Sequence, residues 1–165
     1  MTELKDLRRA GLYHNDDFIC VQTYSGYRSS SIDLNGKMIL LPSRVDAEEL
    51  GYAVIAALTA SRVISIEEIA SYRDLDRLRE VSLKWRSKIM GKYGYKKEAQ
   101  IFKNMKFCTV QANNCIIEFT PTIHEKKDSW VGTGLDGEDR VTVLHEDSMG
   151  KIGQAALLAL ARSTG

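Results

Sequence analysis

The chain of 165 residues contains three histidines and three cysteines, the side chains that most often serve as bases, nucleophiles and metal ligands. His14, His124 and His145 stand far apart. No pair has HExxH or HxH spacing, so no metal-ligand set is predicted. His145 adjoins Glu146 and Asp147, the make-up of a surface turn. Cys108 or Cys115 with His124 would supply a nucleophile and a base. Both cysteines fall in β-type runs, however, where a thiol packs as a small hydrophobe. No GxSxG, P-loop or GxGxxG occurs, and Gly132-Thr133-Gly134 lacks the following helix that a phosphate loop needs. No catalytic residue, metal site or cofactor is expected, and the chain reads as a binding protein rather than an enzyme.

Charge segregation carries more information. Residues 84–106 hold Lys84, Arg86, Lys88, Lys92, Lys96, Lys97, Lys103 and Lys106 against the single acid Glu98. Trp85, Tyr93, Tyr95, Phe102 and Phe107 interleave with them. Rings that stack and cations that meet phosphates make a nucleic-acid-binding module one reading of this segment. The preferred reading turns the rings into the core and leaves the lysines in solvent. Residues 128–147 hold Asp128, Asp136, Glu138, Asp139, Glu146 and Asp147 against Arg140 alone. Such a stretch mimics the phosphates that a nuclease expects, and it speeds docking onto a cationic site. Asp128, Trp130, Asp136, Glu138, Asp139 and Glu146 form the predicted partner-binding set; the alternative for these acids is a solvated loop.

The elements that must position these residues follow from periodicity and punctuation. A β-rich run at 18–27 ends near Gly26. Asn35-Gly36 marks a turn, because it tolerates positive φ at low cost. A short strand, 38–41, stops at Pro42. Asp46 and Glu49 cap a helix running to about Arg62, and Ser65 with Glu68 caps another. Helical spacing continues to Gly91 and Gly94, with a break near residue 71, and residues 97–104 add a turn or two. Residues 106–112 and 115–120 flank Asn113-Asn114 as a hairpin that Pro121 ends. Residues 125–139 read as an exposed loop, 141–144 as a strand, and Ser148 as the cap of a last helix. The prediction is a mixed α/β (α+β) fold: a central sheet of about five or six strands with helices packed on it, in a single domain spanning 1–165.

Composition agrees. Hydrophobic residues make up 44% and charged residues 27%, with a net charge of +1, which excludes a disordered chain and a globally basic nucleic-acid binder. Three cysteines without CxxC spacing, each beside apolar or β-branched neighbours, read as free, buried thiols of a reducing compartment. The N-terminus has no apolar signal core, and no apolar stretch approaches the ~20 residues that span a bilayer. A cytoplasmic location without membrane contact is expected.

An internal echo appears at an offset of 102. Residues 50–62 and 152–164 share five identities in thirteen positions, including Gly51 with Gly153 and Ser61 with Ser163. Each copy follows a short strand, and each strand follows a Leu-Asx-Gly turn. A turn–strand–helix duplication is the expectation. Glycine inside a helix costs ~1 kcal/mol, and close backbone packing against a sheet or between the two helices is the plausible return.

The order Ser129-Trp130-Val131-Gly132, a loop of glycines and acids, a short apolar strand, and a capped Ile152-Gly153 helix ending Ala161-Arg162-Ser163 resembles the contact-dependent growth inhibition (CDI) immunity proteins, a family of small cytoplasmic antitoxins. Gly36 to Leu41, Leu50-Gly51 and Ser61-Arg62 look like another copy of that strand–helix pattern. The resemblance covers roughly residues 20–62 and 115–163; residues 63–114 carry no motif of it. It implies binding and neutralisation of the C-terminal toxin domain of a large secreted exoprotein, commonly a nuclease, in a one-to-one complex. It carries over no catalytic residue. Only Trp130 and Gly132 map onto a family motif.

Overall fold

In the computed structural model, which describes residues 6–132 and 139–165, the chain forms an antiparallel sheet with helices on both faces. The first half builds β1 (Arg8–His14), β2 (Phe18–Gly26), β3 (Ser30–Ile32), β4 (Met38–Pro42) and α1 (Ala47–Thr59). The helices α2 (Ile66–Tyr72), α3 (Leu75–Tyr93) and α4 (Glu98–Phe102) follow. The second half builds β5 (Lys106–Ala112), β6 (Ile116–Lys126), β7 (Ser129–Gly132), β8 (Val141–Leu144) and α5 (Met149–Arg162). The strand order is β3-β2-β1-β5-β6-β7, with β4 continuing the β3 edge along β2 and β8 continuing the β7 edge along β6. The expected mixed fold is present: the sheet is six strands across, and the two short strands laid end to end at each edge bring the total to eight.

The helix boundaries follow the capping chemistry. The Asp46 carboxylate accepts from the Glu49 backbone N–H at 2.8 Å, and Ser148 accepts from that of Lys151 at 3.2 Å. Ser65 and Asp74 cap α2 and α3 in the same way, which produces the expected break between them. Gly94 ends α3 with φ +70°, the left-handed conformation that glycine adopts without strain.

The duplication extends beyond the turn, strand and helix. β1 pairs antiparallel with β5 at the centre, and each half runs outward through the same order to an edge of two short strands. The chain after α1 bridges β2 in parallel at Gly26–Val63, and the chain after α5 bridges β6 in parallel at Ile123–Thr164. The helices cross reciprocally. A Cβ on Gly51 would lie 1.9 Å from the Met149 carbonyl oxygen, and one on Gly153 would lie 1.6 Å from that of Ala47. The two helical glycines therefore serve the contact between the helices, as one of the two expectations had it. An approximate two-fold axis through the β1–β5 pair relates the halves, and α2, α3 and α4 belong to neither.

Two cores result. On one face α1 and α5 bury Leu12, Ile19, Val21, Cys108, Val110, Ile117 and Phe119. On the other, α3 and α4 bring Trp85, Ile89, Ile101 and Phe102 onto Tyr13, Phe18 and Cys20. The rings of residues 84–106 point into this second core, with Tyr93, Tyr95 and Phe107 packed against it. Lys88, Lys92, Lys96, Lys97 and Lys103 stay exposed, while Arg86 lies over the Phe102 ring at 5.2 Å and Lys92 over the Tyr93 ring at 5.9 Å.

Three sequence readings are corrected. β1 was hidden by Arg8, Arg9, Gly11 and His14, which interrupt any apolar run, yet it is the central strand. β6 passes through Pro121 to Lys126. Its pairing with β8 ends at Phe119 and that with β7 begins at Thr122, so no edge strand there needs the N–H that proline lacks. Residues 129–132 pair with β6 as β7 instead of joining an exposed loop, and Trp130 buries its ring from that position.

Candidate functional site

The second edge of the sheet, β7 followed by β8, carries the acid-rich segment. At its upper end lies the tight β6–β7 turn. There Asp128 accepts from Arg86 Nη2 at 2.6 Å, Arg86 Nη1 reaches Glu98 at 2.9 Å, and Lys127 reaches Glu98 at 3.1 Å. This network ties α3, α4 and the turn together. Its cations, Lys127 first and Arg86 next, hold the Glu98 carboxyl below its ordinary range. Asp128 is thus already partnered within the chain.

Trp130 is half-buried. Its ring stacks on His124 at 4.7 Å and packs against Phe107 at 5.5 Å, Tyr13 at 6.0 Å and Phe102 at 6.1 Å. Its indole N–H donates to the Met105 carbonyl at 3.1 Å. The ring therefore closes the second core and locks the connection from α4 into β5.

Further along the edge, Asp139 is exposed and its backbone carbonyl accepts from Arg162 at 3.1 Å. Arg140 turns to Glu118 at 3.6 Å. Glu146 is exposed in the turn between β8 and α5 and makes no ion pair among the described residues. Its neighbour Asp147 is structural: it accepts from the Leu144 N–H at 2.8 Å and from Lys151 at 3.2 Å, and both depress its pKa. Asp136 and Glu138 lie outside the described residues.

The four predicted residues that are described, Asp128, Trp130, Asp139 and Glu146, therefore lie along one edge without converging on a point. Asp128 and Glu146 sit near opposite ends of β6, about 34 Å apart at ~3.4 Å per residue. A typical interface of about 800 Å² per partner is a patch roughly 32 Å across, so a partner of ordinary size reaches most of this edge. Burial pushes the Cys20 and Cys108 thiols up to about 12, so neither is a thiolate nucleophile. Among the described residues, no group of three His, Cys, Asp or Glu side chains could hold a metal ion, and no helix is long and apolar enough to cross a membrane.

Comparison with known proteins decides what kind of chain this is. The family described as CdiI, CDI immunity protein, matches residues 8–163. The chain belongs to that family. It is 37% identical over 172 residues to the immunity protein CdiI-YPIII of Yersinia pseudotuberculosis serotype O:3 (strain YPIII), across 94% of this chain and 95% of that protein. A chain of the CdiA-CT/CdiI toxin and immunity complex from Yersinia pseudotuberculosis superimposes with a TM-score of 0.87 at 36% identity, covering 95% of this chain and 97% of that one. A protein of unknown function from Neisseria meningitidis superimposes with a TM-score of 0.90 at 28% identity, over 99% of both chains.

For a CDI immunity protein, apolar surface beside charge is the composition of an interface. The acidic edge has such surface, and the sequence reading missed it. Ile123 and Val131, cross-strand partners on β6 and β7, are 38% and 40% exposed, and Leu144 on β8 is 47% exposed. Val131 meets Ile123 only because β7 pairs with β6, and the short Ser-Trp-Val-Gly run carries no alternation that would announce a strand.

Proposed function

We propose that residues 1–165 act as one domain that binds the C-terminal toxin domain of a cognate CdiA exoprotein one-to-one in the cytoplasm. Binding blocks the toxin's active site without turnover. The toxin is a nuclease, and its phosphate-binding cations meet the acidic β7–β8 edge. The observation that carries this reading is the near full-length likeness to a chain of the Yersinia toxin and immunity complex. Exposure of Asp139 and Glu146 beside Ile123, Val131 and Leu144 supports the choice of edge. Asp136 and Glu138 are proposed to bind the same partner. Asp128 and Trp130 contribute at its upper end by holding the β6–β7 hairpin in place.

The test pairs a nuclease assay with rapid mixing, using the CdiA C-terminal domain encoded beside this chain. The chain should abolish nucleic-acid degradation at a one-to-one ratio. Reversal of Asp136, Glu138 and Asp139 to Lys should slow association at least tenfold and flatten its salt dependence. An unaltered rate and salt dependence moves the interface to another face. Absence of any nuclease activity in the toxin removes the nuclease assignment while leaving the complex standing.

A further inference from the structure

The sheet face that carries α3 and α4 is only partly covered. These helices shield the end bearing Tyr13, Phe18 and Cys20, while Thr109, Gln111 and Thr142 on the same face are exposed. Where cover ends there is a cleft of about 380 Å³ lined by Arg9, Tyr24, Arg28, Phe107, Thr109 and Gln111. Its floor depends on Gly11. A Cβ there would lie 2.9 Å from both the Tyr24 and Phe107 rings, so the glycine lets the two rings lean over β1.

Two cations face this cleft without a counter-charge. Arg9 is half-buried, and its Nη2 donates to the carbonyls of Tyr27 at 3.4 Å and Arg28 at 3.1 Å. That fixes the guanidinium and leaves Nε and Nη1 for another acceptor. Neither Arg9 nor Arg28 forms an ion pair among the described residues. Glu118, the cross-strand partner of Gln111, pairs with Arg140. Partial burial lowers the Arg9 pKa.

We propose that this cleft is a second contact point for the toxin domain, built to take one of its carboxylate side chains between Arg9 and Arg28. A guanidinium fork matches a carboxylate in geometry as well as charge, and the aromatic floor strengthens the pair by excluding water. A protein partner is favoured over a free small anion because the cleft opens onto the bare polar face of β5, where a chain can lie. The cleft is about 14 Å from the acidic edge, three strand spacings of ~4.8 Å. A toxin that offers cations to the edge and a carboxylate to the cleft can dock in one orientation only. Opposite signs at two points thus set register and reject non-cognate partners.

The inference rests on the proposed toxin binding, and the two fail separately. Affinity for the cognate CdiA C-terminal domain is measured for the wild type, for Arg28→Glu, and for Thr109→Trp, which fills the cleft and keeps both arginines. Both altered residues are exposed, so the melting temperature should stay within about 2 °C of wild type, as for surface changes of at most ~0.5 kcal/mol. Each variant should bind at least tenfold more weakly. One Asp or Glu to Lys reversal on the toxin should restore affinity for Arg28→Glu. Wild-type affinity in both variants overturns the cleft proposal alone, as does a loss that no acid reversal rescues. A wild-type protein that forms no complex removes both readings.

Discussion

The Trp130 side chain sits among Tyr13, Phe102, Phe107 and His124, and its N–H satisfies the Met105 carbonyl. Trp130→Ala leaves a cavity beside that carbonyl. Full burial would cost ~3–5 kcal/mol, and half-burial brings the expected loss to about 2–3 kcal/mol. In a chain of this size that lowers the melting temperature by roughly 4–12 °C, readable by thermal denaturation. An unchanged melting temperature with lost toxin binding would make the ring an interface anchor instead. The cysteines offer a second check. Cys20 and Cys108 are buried and Cys115 is exposed. A thiol reagent should modify one cysteine in the native protein and three after unfolding. β-type surroundings predict burial of all three, which holds for Cys20 and Cys108 and fails for Cys115, because that residue precedes β6 in the turn rather than lying within the strand. Asp128 was not legible as an ion-pair partner, because Arg86 lies 42 residues away and only the packing of α3 against the hairpin brings the two together.

At the scale of elements, the α1–α5 crossing is the most exposed to test. Gly51→Ala and Gly153→Ala would each place a methyl group inside van der Waals contact with a backbone carbonyl. Overpacking of this kind costs ~1–3 kcal/mol or more and outweighs the ~1 kcal/mol that alanine gains in helix propensity. Each should be destabilising in a denaturant titration. Because both act on one crossing, the double variant should lose less than the sum of the two. A separate element contact is sensitive to pH. Lys127 and Arg86 depress the Glu98 carboxyl, so its contribution to stability is present above its ordinary value of 4.5 and lost as pH falls through the lower folded value. Glu98→Gln should therefore be less stable than wild type at neutral pH, with the difference vanishing in acid. Caps and the Asn35-Gly36 and Asn113-Asn114 turns made most helices and one hairpin legible. β1, β3 and β7 were not, since short strands framed by arginine, serine or glycine owe their pairing to neighbours already in place.

At the scale of the whole molecule, the echo at offset 102 proved to be the trace of a two-fold arrangement. It was visible only where composition is constrained, in the glycine-bearing helices and the turns that lead to them. The paired strands β1–β2 and β5–β6 share a layout but little sequence, because a sheet position asks for a shape and a side rather than for one residue type. The acids of 128–147 were legible as a charge pattern, and the placing of Asp128, Asp139 and Glu146 along one edge required the topology. The central claim is that this chain is a stoichiometric inhibitor of one toxin domain. Titration calorimetry with the CdiA C-terminal domain encoded beside it tests that claim most directly. The account predicts a one-to-one complex with a dissociation constant of ~10 nM or below, a binding free energy of roughly −11 kcal/mol. No heat and no complex at micromolar concentrations of both proteins would contradict it.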